Sequence, residues 1–207
     1  MSRTPAWIAE RLTSCGVPVD PAERLLANVE GPVTEELLAL LREPGQSASV
    51  LLGLVERPAG LTVLFTERAM HLPHHPGQIS FPGGRLAPGE TVVAAALREA
   101  AEEVGLAAEQ VAVAGCLDAH LTGTGFLVTP VVGFVSGEFQ PVPNPDEVAS
   151  VFEVPLDFIL DPGNVRVLHR ERLGTRFRMY ELEYGTRRIW GATAAMLMTF
   201  RDLLADD

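Results

Sequence analysis

Glu99, Glu102 and Glu103 stand at i, i+3 and i+4. At roughly 100° per residue they share one flank of a helix. Like charges at these spacings repel, by up to about half a kcal/mol per pair. They also fall in the last turns of the helix that their neighbours predict, where the backbone dipole disfavours anions. Helix stability alone would put cations there. Arg98 offsets part of the repulsion through Glu102, in the poorer orientation for such a pair. A divalent cation would neutralise all three carboxylates, and hard oxygen donors select Mg²⁺ or Mn²⁺. The competing reading is a solvated acidic helix face, which is common on an acidic protein.

The residues around the glutamates favour the cation. Phe81-Pro82-Gly83-Gly84 sets two glycines just ahead of the helix. Gly83 and Gly84 allow a ligand to approach the backbone closely, and their carbonyls could join a metal shell. Glu90 sits near the helix N-terminus, where the dipole favours an anion. Arg68 ends an apolar run, and a guanidinium fork matches phosphate oxygens. Its alternative is a strand-end ion pair with Glu67 or another acid.

The elements that must hold these groups follow from hydrophobic periodicity. A helix is predicted from Thr91 to Val104, with Val93, Ala96, Leu97, Ala100 and Val104 on one face and Gly105 ending it. SVLLGLVER and LTVLFTER, parted by Pro58-Ala59-Gly60, predict a hairpin. QVAVAGCLDAHL, FLVTPVVGFV and VASVFEVPL predict further strands, and Pro155–Leu160 a short helix. VRVLHRERL and RFRMYELEY predict a final strand pair, and IWGATAAMLMTFRDLLADD a closing helix. Residues 1–45 form a helical arm, with PAERLLANVE and TEELLALLRE at helical period and a helix start at Thr34. A cap, a dimer element or a packed wall would each suit that arm. Residues 46–207 then make the principal domain. The order strands, helix, strands, helix predicts an α+β fold, an α/β/α sandwich around a mixed sheet.

Composition bounds the partners. The 207 residues carry 27 acids against 16 bases, all Arg, for a net charge of −11. Such acidity argues against broad binding to nucleic acid or to an anionic membrane, both of which need a positive face. No apolar run reaches transmembrane length, and the first residues do not read as a secretory signal. Cys15 and Cys116 are too few for a disulfide framework and read as buried free thiols. A cytoplasmic setting is expected, and a two-fold homodimer is one option for a chain of this size.

The pattern Gly84, five residues, Glu90, seven residues, then Arg98-Glu99-Ala100-Ala101-Glu102-Glu103-Val104-Gly105-Leu106 resembles the Nudix box at each of its fixed positions over 23 residues. The strand order from about Val50 onward suits the Nudix fold. The resemblance implies a hydrolase of nucleoside diphosphates linked to another moiety, dependent on Mg²⁺ or Mn²⁺. It implies that Glu99, Glu102 and Glu103 bind metal, that Glu90 and Arg98 brace a catalytic loop–helix–loop, and that the carbonyl of Gly83 or Gly84 joins the metal shell. The bottom-up reading agrees, since an acidic site holds a dianionic diphosphate only through bridging cations.

Upstream, Leu64-Phe65-Thr66-Glu67-Arg68-Ala69, then MHLPHHP, Gly77 and ISFPGG resemble the signature of coenzyme A pyrophosphatases within that family. Phe65 stands where Leu is usual, and Pro73 where the pattern has Arg, a natural phosphate contact. His71, His74 and His75 could partly replace that donor. The resemblance implies coenzyme A or an acyl derivative as the small-molecule substrate, cleaved to 3′,5′-ADP and 4′-phosphopantetheine or its acyl form. The family often supplies a catalytic or metal-binding acid from the loop matching PVPNPDE, which makes Glu147 a candidate general base. Glu102 is its rival, and His120 a weaker one. Arg166, Arg170, Arg172, Arg176 and Arg178 read as solvated residues of a strand pair that would also suit a 3′-phosphate. A non-catalytic ligand sensor is the reading from another class, and it would not need Glu99, Glu102 and Glu103 together with Glu90 and Arg98.

Overall fold

Two strands with continuous runs of buried residues organise the molecule. A computed structural model describes residues 4–13, 19–42 and 45–205. β1 (Ser47–Arg57) and β2 (Gly60–Arg68) form the predicted hairpin, with Leu54 opposite Val63 and Arg57 opposite Gly60. β1 is buried on both faces, as a central strand must be. Leu51 and Val55 point into one apolar cluster, Leu52 and Leu54 into another, following the period of two. β3 (Ile79–Ser80), β4 (Gly83–Arg85), β5 (Val111–Cys116), β6 (His120–Leu121), β7 (Leu127–Val135) and β8 (Val148–Pro155) complete the main sheet. Its order is β3-β2-β1-β7-β5, with β4 on β1, β8 on β2 and β6 on β7. β1 and β7 run parallel and the other pairs antiparallel, so the sheet is mixed.

Helices cover both faces. The helix α4 (Val92–Val104) lays Ala96, Ala100 and Val104 on Leu51, Val55, Leu64, Val131 and Val135. On the other face, α6 (Ala192–Leu203) buries Ala194, Leu197 and Phe200 against Leu52, Leu54, Val63, Phe65 and Val132, beside the short α5 (Leu156–Leu160). Each fully buried Leu or Phe here contributes about 1.5–3 kcal/mol. The architecture is the expected α+β sandwich, and no described helix is long and apolar enough to cross a membrane.

The first helices are α1 (Pro5–Thr13), α2 (Pro21–Leu26) and α3 (Glu35–Arg42). Ile8 and Leu12 of α1 are buried in the same cluster as α6. α1 thus packs against the core, while α2 buries none of its residues. Asp20 caps α2 through the Ala22 N–H, and the Thr34 hydroxyl accepts the Leu37 N–H at the predicted start of α3.

Two expectations need correcting. Ile189 and Trp190 do not open the last helix. They close β11 (Arg187–Trp190), which joins β9 (Val165–Arg172) and β10 (Thr175–Tyr184) in a second sheet of order β11-β10-β9. Gly191, at φ 68°, separates that strand from α6. Cys116 is exposed and not buried, because it ends the edge strand β5. Cys15 lies outside the described residues.

Candidate metal and diphosphate site

A split in the pairing of β1 places the two glycines. Its end at Leu54–Arg57 pairs with β2, while Ala48–Val50 pairs with β4, Gly83 opposite Val50 and Gly84 opposite Ser49. The chain crosses from β3 to β4 through Phe81-Pro82, and the Pro82 carbonyl accepts the Leu51 N–H. Gly83 has no room for a side chain, and Gly84 leaves the Glu99 carboxylate its present place. A Cβ on Gly83 would strike the Ser49 carbonyl and Val50 Cα, and one on Gly84 would overlap the Glu99 carboxylate.

Capping fixes the ends of α4. The Thr91 hydroxyl accepts the Ala94 N–H, and Gly105 ends the helix in the left-handed region at φ 70°. Glu90 and Arg98 form an ion pair. Arg98 Nε donates to Glu90 Oε1 at 2.9 Å and Nη2 to Oε2 at 3.0 Å, while the Ala87 N–H donates to the same carboxylate. Arg98 also donates to the Arg85 carbonyl. The pair therefore ties the loop before α4 to the middle of the helix. Hydrogen bonding from Arg98 holds the Glu90 carboxyl down at about 2, and that pairing raises the Arg98 guanidinium further above its usual range.

The three box glutamates take different places. Glu103 is buried, and its Oε2 accepts the Gly83 N–H at 3.2 Å. Glu99 is half-buried against Gly84 and accepts from Arg98 at 2.8 Å. Glu102 is exposed and bonds Arg98 at 3.1 Å. Glu147 supplies the third acid of the cluster: Glu99, Glu103 and Glu147 each bring a carboxylate oxygen within 4.8 Å of the others. Glu102 is not in that group.

The loop after β7 delivers Glu147. The Val142 N–H bonds the Val104 carbonyl and the Asn144 N–H the Glu103 carbonyl, docking the loop on the end of α4. Asn144 then turns the chain by accepting the Asp146 and Glu147 N–H groups, and the Glu147 carbonyl accepts the Ala69 N–H. Among the described residues the Glu147 carboxylate accepts no hydrogen bond.

Electrostatics mark this cluster. Burial, reinforced by the charges of Glu99 and Glu147, pushes the Glu103 carboxyl up to about 8, against the pull of the Gly83 N–H and the Arg68 charge. Burial also raises Glu99, opposed by Arg98. Three crowded carboxylates facing one point need either protons or a cation. The donors are all hard oxygens, and the set fits a divalent ion such as Mg²⁺ or Mn²⁺.

Arg68 lies on the edge of the same site. Its Nε donates to the His74 carbonyl, and its charge reaches Glu103. It makes no pair with Glu67, which instead bonds Arg187 and Ser150. His71 bonds the Asp146 carbonyl and so helps hold the Glu147 loop. His120 stands elsewhere, buried beside Thr199, with burial holding its pKa at about 4. The grouping of Glu147 with Glu99 and Glu103 is the feature that helical spacing could not show, because it depends on the docked loop.

Known proteins resemble the chain as follows. Residues 46–171 match the family model described as NUDIX domain. The protein named Nudix hydrolase 3 of Caenorhabditis elegans is 34% identical over 91% of this chain and 86% of its own length. The uncharacterized Nudix hydrolase NudL of Photorhabdus laumondii is 39% identical, covering 76% of this chain and 84% of its own. Among solved structures, the Nudix hydrolase RenU from M. Smegmatis shares the fold with a TM-score of 0.53 at 24% identity, over 77% of this chain and 85% of that one.

Proposed function

The chain belongs to the NUDIX family and is a Nudix hydrolase of pyrophosphate bonds, and on that premise we propose that its substrate is coenzyme A or an acyl derivative. The products are 3′,5′-ADP and 4′-phosphopantetheine or its acyl form. The observation that carries the diphosphatase chemistry is the convergence of Glu99, Glu103 and Glu147 beside Gly83 and Gly84. The substrate assignment is supported by the stretch from Leu64 to Gly84, which resembles the coenzyme A pyrophosphatase signature and whose Arg68 faces this cluster.

Each residue has a proposed part. Glu99 and Glu103 hold a divalent cation, with the backbone of Gly83 and Gly84 beside them, and Glu102 extends the acidic surface toward a second. When bound, such ions neutralise phosphate charge, polarise phosphoryl oxygens and acidify water. Arg68 donates to the diphosphate oxygens. Glu147, whose carboxylate is free to accept, takes the proton of the attacking water. Glu102 is the alternative acceptor. Glu90 and Arg98 touch no substrate and keep the glycine loop against α4.

Side-by-side product analysis on coenzyme A, NADH and ADP-ribose, with Mg²⁺ or Mn²⁺ and an EDTA control, tests the assignment. Coenzyme A is expected to be cleaved fastest, and EDTA to abolish cleavage. Faster turnover of NADH or ADP-ribose would remove the coenzyme A reading while leaving the diphosphatase.

A further inference from the structure

On the α6 side of the main sheet, α2, α6 and the β9–β11 sheet enclose a cavity of about 760 Å³. Five arginines line it: Arg24, Arg170, Arg172, Arg178 and Arg188. Arg24 pairs with Asp118 and Arg188 with Glu181. Arg170, Arg172 and Arg178 have no carboxylate partner among the described residues, although the chain carries 27 acids. The Nε atoms of Arg24 and Arg178 are buried with no hydrogen-bond partner. A buried N–H without a partner is costly, and the half-buried Arg178 carries one with no carboxylate beside it, while Arg170 and Arg172 stand exposed at the rim. Five arginines against two acids, Glu171 and Asp202, leave the lining net positive on an acidic protein, which suits an anion from outside.

The walls narrow the chemistry of that anion. Phe177, Tyr180 and Trp190 line the cavity, with the Arg178 guanidinium 5.9 Å from the Tyr180 ring and Arg188 5.5 Å from Trp190. Flat rings beside forked cations suit a planar base carrying a phosphomonoester. None of Glu99, Glu103, Glu147, Gly83 and Gly84 lines the cavity, but a loop joins it to Arg68. His75 and Gln78 line it, and the neighbouring His74 and Gln78 carbonyls accept the Nε and backbone N–H of Arg68. One loop, residues 74–78, thus separates the arginine cavity from the arginine facing the carboxylates.

We infer that this cavity binds the phosphorylated nucleoside end of the substrate, with Arg178 and its neighbours Arg170 and Arg172 on the 3′-phosphate and the base among the aromatic rings. The inference rests on the coenzyme A reading above. It makes Arg178 a specificity-determining residue for a reaction carried out on the far side of the 74–78 loop.

The test uses the full chain. Calorimetric titration in EDTA compares adenosine 3′,5′-bisphosphate with 5′-AMP. Kinetics with Mg²⁺ compare coenzyme A with dephospho-coenzyme A. Both are repeated with Arg178→Gln and with Arg170→Gln, the latter an exposed strand position whose change leaves the core intact. The bisphosphate should bind about tenfold or more tighter than 5′-AMP, the size expected for a charge-assisted contact. Coenzyme A should be favoured in kcat/KM by a similar factor, and Arg178→Gln should bring both ratios toward one. Arg170→Gln should shrink them less. Arg178-dependent bisphosphate binding by a protein that cleaves neither substrate would support the cavity and overturn the coenzyme A reading. Cleavage of both substrates without preference, or ratios untouched by either substitution, would overturn the cavity assignment alone. So would a preference that follows acyl-chain length and ignores the 3′-phosphate.

Discussion

Burial holds the Glu103 carboxyl near 8, against 4.5 for a free glutamate. Between those values the folded chain keeps a proton that the unfolded chain has released, so stability falls as pH rises. His120 acts in the opposite sense at lower pH. Burial keeps its pKa near 4 against 6.5, so the unfolded chain binds the extra proton and stability climbs until pH 6.5. Above 6.5 the Glu103 effect is left dominant. In EDTA, the melting temperature should fall from pH 6.5 to 8, and Glu103→Gln should flatten that fall; an unchanged slope in the variant would count against the buried carboxyl as its cause. Metal must displace the same proton, so Mn²⁺ affinity should rise over this interval.

The ranking of the three box glutamates was partly written in the sequence. Taking Ala100 as the centre of the apolar face and about 100° per residue, Glu103 lies roughly 60° away, Glu99 roughly 100° and Glu102 roughly 160°. Burial follows that order: Glu103 buried, Glu99 half-buried, Glu102 exposed. Spacing alone could not show how Glu147 joins them, because the Val142, Asn144 and Glu147 backbone bonds that dock its loop span distant parts of the chain.

At the level of elements, α1 tests whether the arm belongs to the fold. Ile8 is fully buried among residues of the main core. Ile8→Ala should cost about 2–5 kcal/mol in a denaturant titration, and a loss under about 0.5 kcal/mol would mean the helix is only loosely attached. The Thr91 cap is a smaller test of α4, with Thr91→Ala expected to cost about 1 kcal/mol. Most elements were readable because their period is clean, as in the β1–β2 hairpin and α4. β11 was missed because Ile189-Trp190 runs without a proline into a long helical pattern. Only Gly191 marks the boundary, and its positive φ cannot be seen in a sequence. The second sheet that builds the arginine cavity depends on that strand.

For the molecule as a whole, a net charge of −11 sets what the surface can attract. Duplex DNA and anionic vesicles should not be retained at low salt, since neither finds a broad positive face; retention of either in a sedimentation assay would contradict this. Carboxylates pair with Arg57, Arg98 and Arg187, whereas Arg68 and the cavity's Arg170, Arg172 and Arg178 have no carboxylate partner among the described residues. On the proposed reading the carboxylate cluster holds a diphosphate only through cations. The most direct measurement is Mn²⁺ binding by electron paramagnetic resonance, with turnover measured in parallel, for the native chain and for Glu99→Gln and Glu103→Gln. The account predicts saturable binding in the native chain. Each substitution should weaken it and lower turnover by at least about a hundredfold, beyond the loss typical of residues that merely support a ligand. Equal Mn²⁺ binding by both variants would contradict it.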